Sequence, residues 1–163
     1  MKMIAAVDAN WGIGQNGRLL VSIPEDMKFF RTVTTGKTVI EGRRTLASFP
    51  GGNPLKNRRN IVLTSDPTFA PEGAEVAHSV EEALALCENE DTDNIFVIGG
   101  GAVYKAMLPY CDTAYITYID FEYAADTYMP NLDADPEWEL AEESDEQTYF
   151  NLVYAFRTYK RKQ

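Results

Sequence analysis

Two cysteines and one histidine in 163 residues leave little material for metal or redox chemistry. Cys87 and Cys111 stand far apart, with no C-x-x-C and no His/Cys cluster around them, so both read as reduced, packed thiols. His78 precedes Ser79 and a helical pattern and reads as a surface residue, not a catalytic base. The sequence has no run of about 18 apolar residues that would span a bilayer. The opening Met1-Lys2-Met3-Ile4-Ala5-Ala6-Val7-Asp8 turns acidic too soon for a signal peptide. These absences predict a cytoplasmic protein. Positive charge is scarce as well: 15 Lys and Arg against 25 Asp and Glu give a net charge of -10, which argues against nonspecific binding to nucleic acid or anionic membrane.

The basic residues that are present are concentrated. Eight of them, Lys28, Arg31, Lys37, Arg43, Arg44, Lys56, Arg58 and Arg59, share one segment with a single acid, Glu41. From Glu81 to Glu146 the balance inverts, with eighteen acids against Lys105 alone. A small anionic ligand would be steered to the basic island; solvated charges segregated by chance are the other reading. A hydrophobic content of 45% at this length predicts one domain, residues 1–163, with one substantial core.

Met3 to Val7 reads as a first strand and Trp11 to Gly17, with three glycines, as a flexible loop. Ser22-Ile23-Pro24-Glu25 has capping-box spacing and predicts a helix from Pro24 to Val33, its inward stripe Ile23, Met27 and Phe30. Thr38 to Glu41 reads as a strand, followed by a glycine turn at Gly42 and a short helix. Phe49 to Pro54 is a loop and Asn60 to Thr64 a strand, while Val80, Ala83, Leu84 and Cys87 follow helical spacing. Ile95-Phe96-Val97-Ile98 has no polar alternation and predicts a strand buried on both faces. A helix follows its three glycines. Ala114 to Ile119 is another strand, Tyr123 to Pro130 a loop, and Trp138 to Leu140 and Phe150 to Phe156 are closing strands, the latter alternating Phe150, Leu152, Tyr154 and Phe156 on one face. Strands alternating with helices early and strands alone late predict an α/β sheet with an antiparallel end.

Three features point to chemistry. Gly99-Gly100-Gly101 between a strand and a helix allows close backbone approach, either to a phosphate at the helix N-terminus or simply in a tight turn. Arg43 and Arg44 open a short helix whose dipole they oppose, so an anion is expected beside them. Asp26 projects beside Phe29 and Phe30, where burial would raise its pKa and make it an acceptor for a ligand with paired N–H donors; a preference of acids for the helix N-terminus is the alternative.

The order and spacing of several segments are specific together. Ile23-Pro24-Glu25-Asp26-Met27-Lys28-Phe29-Phe30, Val39-Ile40-x-Gly42-Arg43-x-Thr45, Pro54-Leu55-x-x-Arg58-x-Asn60-Ile61-Val62-Leu63, Val97-Ile98-Gly99-Gly100-Gly101-x-Val103-Tyr104, Ile116-Thr117 and Asp126-Thr127-x-x-Pro130 resemble bacterial dihydrofolate reductase from end to end. The resemblance implies a single-domain α/β fold, with a central mostly parallel β-sheet, an antiparallel C-terminal strand and about four flanking helices. Residues 37–91 would form its adenosine-binding subdomain. It implies NADPH-dependent reduction of 7,8-dihydrofolate to tetrahydrofolate, by hydride transfer to C6 with protonation at N5, in a cytoplasmic monomer that antifolate inhibitors can bind.

Carried over by position, Asp26 would bind the pterin N3 and 2-amino group and promote N5 protonation, with Thr117 supporting it. Arg58 would pair with the α-carboxylate of the substrate's glutamate. Met27, Phe30, Phe49 and Leu55 would line the aminobenzoyl slot, with Ile4, Ala6 and Ile98 as the floor. Cofactor contacts would come from Ala6, Ile13, Leu19, Gly42, Arg43, Arg44, Thr45, Thr64, Ser65, Gly99, Gly100, Gly101, Ala102, Val103 and Tyr104. The family also implies a cis peptide between Gly99 and Gly100.

Four residues depart from the family pattern. Val21 replaces a common tryptophan, Ala102 stands where some members carry an arginine for the 2′-phosphate, Glu41 replaces an apolar residue, and Ala125 replaces a frequent glycine. Two other readings remain beside the reductase: a related-fold pyrimidine reductase, and a weakly catalytic folate- or nucleotide-binding protein.

Overall fold

In the computed structural model, which describes residues 1–163, the apolar run at Ile95–Ile98 lies inside one large sheet. The chain opens with β1 (Lys2–Val7), β2 (Gly12–Gln15), β3 (Arg18–Leu19), α1 (Pro24–Thr34) and β4 (Thr38–Gly42). It continues through α2 (Arg43–Ser48), β5 (Arg59–Leu63), β6 (Glu75–Ala77) and α3 (Val80–Leu86). The second half holds β7 (Ile95–Gly99), α4 (Gly101–Met107), β8 (Thr113–Ile119), β9 (Thr127–Tyr128), β10 (Trp138–Glu143), β11 (Gln147–Tyr149) and β12 (Leu152–Arg161).

The sheet order is β10-β12-β8-β1-β7-β4-β5-β6, with β11 also paired to β12. Every pairing from β8 to β6 is parallel, whereas β12 runs antiparallel to β8 and carries β10 and β11 antiparallel to itself. This is the mostly parallel α/β sheet with an antiparallel C-terminal strand and four α-helices that the sequence predicts. β7 is buried along its whole length, as a strand covered on both faces must be. On one face, Met3, Ile40, Ile61 and Val97 pack with Ala83 and Cys87 from the α3 region and Val103 and Met107 of α4. On the other, Ile4, Val39, Phe96 and Ile98 are covered by Phe29, Phe30 and Val33 of α1, with Phe49, Leu55 and Tyr115.

Several local expectations need correction. α1 begins at Pro24 as expected, but with Pro24 at the first helical position its N-cap is Ile23, not Ser22, so no side-chain cap bond forms. Phe29 and Val33 join Phe30 in covering the sheet, while Met27 is only half-buried and belongs to none of the core clusters. The segment from Trp11 to Gly17 is not a structureless loop: β2 pairs with β3 and with β9, and Trp11 is buried edge-on against Tyr159. Phe150 does not belong to the final strand. It lies in a turn with φ 53° and is 87% exposed, so the inward alternation begins at Leu152. β6 and β11 went unread because three residues are too few to show a period. Cys87 and Cys111 are both free and buried, and His78 is exposed.

Candidate active site

Asp26 lies in the first turn of α1, and Thr117 on β8, opposite Ala6 of β1. The sheet brings these residues together across 91 positions: Thr117 Oγ1 donates to Asp26 Oδ1 at 2.5 Å. Thr117 is buried and Asp26 half-buried. Burial pushes the Asp26 carboxyl above the usual carboxylate range, and the Thr117 hydroxyl offsets part of that rise by stabilising the anion. Oδ2 has no partner in the protein, so a carboxyl poised to take up a proton keeps one oxygen for a ligand.

Beside it lies an apolar wall. Ile4, Phe30, Phe49, Leu55 and Ile98, all expected at the slot, belong to one cluster; Ala6 packs in the next one, with Ile23, Ile119 and Tyr154. Phe29, Val33, Val39, Phe96 and Tyr115 share the wall and were not anticipated, although the spacing of Phe29 and Val33 on one helix face could have shown them.

Arg58 is held by two bonds: its Nε donates to the Lys56 carbonyl at 2.9 Å, and one terminal nitrogen donates to Thr34 Oγ1 at 3.2 Å. Thr34, buried at the end of α1, itself donates to the Phe30 carbonyl at 2.8 Å. The second terminal nitrogen has no partner in the protein, which leaves an edge of the guanidinium for a carboxylate. Asn60 braces the same turn. Its amide accepts from Leu55 N at 3.1 Å and donates to the carbonyls of Leu55 and Arg58 at 2.9 and 3.0 Å. Sequence reasoning missed both Thr34 and Asn60; a buried polar residue in an otherwise apolar strand was the available signal for Asn60.

The glycine turn forms the third part. The Gly99–Gly100 peptide is cis, and Gly99 has φ 127°. A Cβ on Gly101 would lie 2.5 Å from the Tyr128 carbonyl oxygen, so only glycine fits there. Thr45 Oγ1 lies 3.4 Å from where a Gly100 Cβ would be, and Val103 packs 3.1 Å from the corresponding point on Gly42. Gly42, Thr45, Gly99, Gly100, Gly101 and Val103 therefore converge. Tyr104 is buried beneath them, its hydroxyl donating to the Ile4 carbonyl at 2.7 Å. Arg43 pairs with Asp66 at 2.7 Å and lies over the Phe69 ring, so the anion expected beside α2 is supplied by the chain itself. Arg44 and Ser65 are exposed, and Thr64 Oγ1 accepts from Asp66 N.

The family model described as dihydrofolate reductase matches residues 1–161. The chain belongs to the dihydrofolate reductase family. It is 35% identical to the dihydrofolate reductases of Bacillus subtilis and Staphylococcus haemolyticus, covering 99% of this chain and 95% of each relative. A type 3 dihydrofolate reductase of Salmonella typhimurium is 41% identical over 80% of this chain and 78% of its own length. The solved structure of the Enterococcus faecalis dihydrofolate reductase, complexed with NADP(H) and RAB-propyl, aligns with a TM-score of 0.87 at 36% identity, covering 99% of this chain and 96% of that one.

Against that family pattern the four departures each have a place. Val21 packs against Ile23, Ile119 and Tyr154, filling with an aliphatic side chain a position where an indole is common. Ala102 is exposed and lines a cavity of about 590 Å³ with Gly101, Lys105 and residues 126–130. The Ala125 methyl sits where a Cβ on Gly12 would be, 2.6 Å away, so alanine at one position requires glycine at the other. Glu41 is fully buried between Val62 and Gly99, and neither of its carboxyl oxygens has a hydrogen-bond partner.

The segments around Trp11 to Leu20 and Phe121 to Pro130 are tied together. Asp126 N donates to the Gly14 carbonyl and Asn16 N to Asp126 Oδ2, each at 2.9 Å. Asp8, another unanticipated residue, is buried and accepts from the backbone N–H groups of Asn10, Gly12 and Tyr123 at 2.8–3.0 Å. Ile13 packs onto the main core. Leu19 is 62% exposed and lines a cavity of about 460 Å³ that it shares with none of the other expected cofactor residues.

Proposed function

We propose that the chain reduces 7,8-dihydrofolate to 5,6,7,8-tetrahydrofolate with NADPH, and that Asp26 and Thr117 carry the catalytic end of the site. The observation behind this reading is the half-buried Asp26 carboxyl, raised by burial and oriented by the 2.5 Å bond from Thr117 at the edge of an apolar wall. A carboxylate there accepts the paired N–H groups of a pterin, and its raised affinity for protons favours protonation at N5. The apolar wall takes the aminobenzoyl ring. The free edge of Arg58 takes the glutamate α-carboxylate; Thr34 holds the guanidinium and Asn60 the main-chain carbonyl of Arg58.

NADPH, when bound, supplies the hydride delivered to C6. The residues present fit such a cofactor: Gly42, Thr45 and Gly99 to Gly101 converge, and together they bring backbone without Cβ atoms and one hydroxyl to the same place. Arg43, Arg44 and Ser65 are the candidates for the 2′-phosphate, Arg43 by exchanging its Asp66 partner for the ligand. Residues 37–91, carrying β4 to α3, form the adenosine-binding part of a single domain. Antifolate inhibitors would occupy the pterin end of the same slot. We place the enzyme in the cytoplasm as a monomer with neither nucleic acid nor membrane as partner, supported by its net charge of -10.

The test is consumption of NADPH on adding dihydrofolate, and a rate at background would refute the assignment. Asp26→Asn is expected to lose about 100-fold or more in turnover at neutral pH while NADPH binding persists; full turnover in that variant would remove Asp26 from its role.

A further inference from the structure

Asp8 is fully buried and the reaction above makes no use of it. Buried charges are ordinarily paired with an opposite charge, yet Asp8 enters none of the ion pairs of the molecule. Its oxygens meet main-chain N–H groups instead. Oδ1 accepts from Asn10 at 2.9 Å and from Gly12 at 2.8 Å, closing a local turn as aspartates commonly do. Oδ2 does something a local turn does not need: it accepts from the Tyr123 N–H at 3.0 Å, 115 residues further along the chain.

The place of this bridge in the fold gives it a bearing on the site. Asp8 directly follows β1, two residues beyond Ala6, whose register partner on β8 is Thr117, the residue bonded to Asp26. One of the bridged segments continues from Gly12 to Ile13, which packs onto the main core, and the other continues from Tyr123 to Ala125. Their main chains meet again where Ala9 N donates to the Phe121 carbonyl at 3.0 Å. Gly12 is enclosed from both sides. A Cβ there would lie 2.6 Å from the Ala125 methyl and 3.1 and 3.2 Å from the two Asp8 oxygens. The carboxylate therefore sets the register of the two segments, and the methyl sets how closely they approach.

We propose that Asp8 is a positioning residue of the reductase reaction: by bridging the Gly12 and Tyr123 amides it fixes the segment that carries Ile13 against the segment that carries Ala125, at the end of β1 beside the Asp26–Thr117 pair. This rests on the NADPH-dependent reading above, with Ile13 as one of its cofactor contacts. Asp8 acts through the two amides and not on a ligand. Hydride transfer depends on near-contact geometry, so a small displacement of a wall residue costs rate more than it costs binding. Only a carboxylate presents an acceptor to both segments at once. In Asp8→Asn the amide oxygen can keep Asn10 and Gly12, but its NH2 then faces the Tyr123 N–H, donor against donor, so the local turn survives and the bridge is cut.

The experiment compares the native chain with Asp8→Asn in two ways. Amide hydrogen exchange of the full chain without cofactor is expected to quicken about tenfold or more in the segments Asn10 to Gly17 and Tyr123 to Asp126, with native rates in α1 and β7. In steady-state assays kcat is expected to fall about 10- to 100-fold, while KM for dihydrofolate stays within about twofold. Gly12→Ala disturbs the same junction without altering the carboxylate and should lower kcat in the same way. Adding Ala125→Gly to it removes the 2.6 Å contact and should recover most of the loss; this pair decides the matter if Asp8→Asn does not fold. Native kcat in Asp8→Asn, exchange that quickens throughout the molecule, or a double variant no better than Gly12→Ala overturns the proposal. A native chain that consumes no NADPH refutes the reductase reading and takes the proposal with it, whereas native consumption left unchanged by Asp8→Asn refutes the proposal alone.

Discussion

Replacing Glu41 by methionine should stabilise the fold, and by an amount that depends on pH. The carboxyl titrates at about 8 in the native protein, against 4.5 ordinarily, because burial opposes its ionisation more than the Arg58 charge favours it. Between these two values the native state keeps a proton that the unfolded chain releases, so stability is highest below pH 4.5, falls as pH rises, and levels off above about pH 8. At about 1.4 kcal/mol per pH unit, the penalty reaches about 3 kcal/mol at pH 7 and about 5 kcal/mol once Glu41 is fully ionised. For a chain of this size the pH 7 figure corresponds to about 6–12 °C in Tm. Methionine also removes two unpartnered buried oxygens, whose desolvation costs about 1–3 kcal/mol whether or not the group is charged. Urea unfolding followed through the buried Trp11 and Trp138 measures the difference. Its pH-independent part reflects the unpartnered oxygens, and its growth, about 3 kcal/mol between pH 5 and pH 8, reflects the charge. Native and variant curves running parallel across that range would refute the argument, since no burial penalty would then be tied to ionisation at position 41.

Other substitutions separate the parts of the site. Thr34→Val removes the hydroxyl that fixes Arg58 and should raise KM for dihydrofolate about 5- to 30-fold, for a loss of about 1–2 kcal/mol, with kcat nearly unchanged; a fall confined to kcat would contradict a role in tail binding. Thr117→Val deprives the Asp26 anion of its hydrogen bond, so the acid limb of the kcat/KM profile should move to higher pH; a shift to lower pH, or none, would count against the coupling. Gly101→Ala places a methyl against the Tyr128 carbonyl, a point 2.5 Å away, and should cost about 1–3 kcal/mol and weaken NADPH binding as the turn is displaced. Calorimetric titration with NADPH checks this, and native affinity in that variant would remove the glycine turn from the cofactor site.

How far the sequence reveals this molecule depends on the range of the interactions involved. The strands at Met3–Val7 and Ile95–Ile98 and the helix at Pro24 are local patterns, and they can be read directly. Asp26 stands out because an acid beside two aromatic rings is locally odd, but its bond to Thr117 spans 91 residues and only the folded sheet creates it. Thr34 has no local mark of function and Asn60 only that of a polar residue beside an apolar run; each acts on Arg58 through a contact that depends on where a helix ends or a strand begins. Arg43 shows the limit of charge arguments. The opposed helix dipole correctly calls for an anion, yet nothing in the spacing distinguishes a bound phosphate from Asp66, 23 residues further on. Glu41 shows a different limit. It is legible as an acid at a position that is usually apolar, at the end of a predicted strand, but in a half-exposed strand the period of two would have given it an outward place. β4 lies between β5 and β7 with its first four residues buried, so it offers no outward position at 41, and the carboxyl is enclosed whichever face it takes. The sequence shows an acid next to Gly42-Arg43, and only the position of that strand within the sheet makes it a buried one.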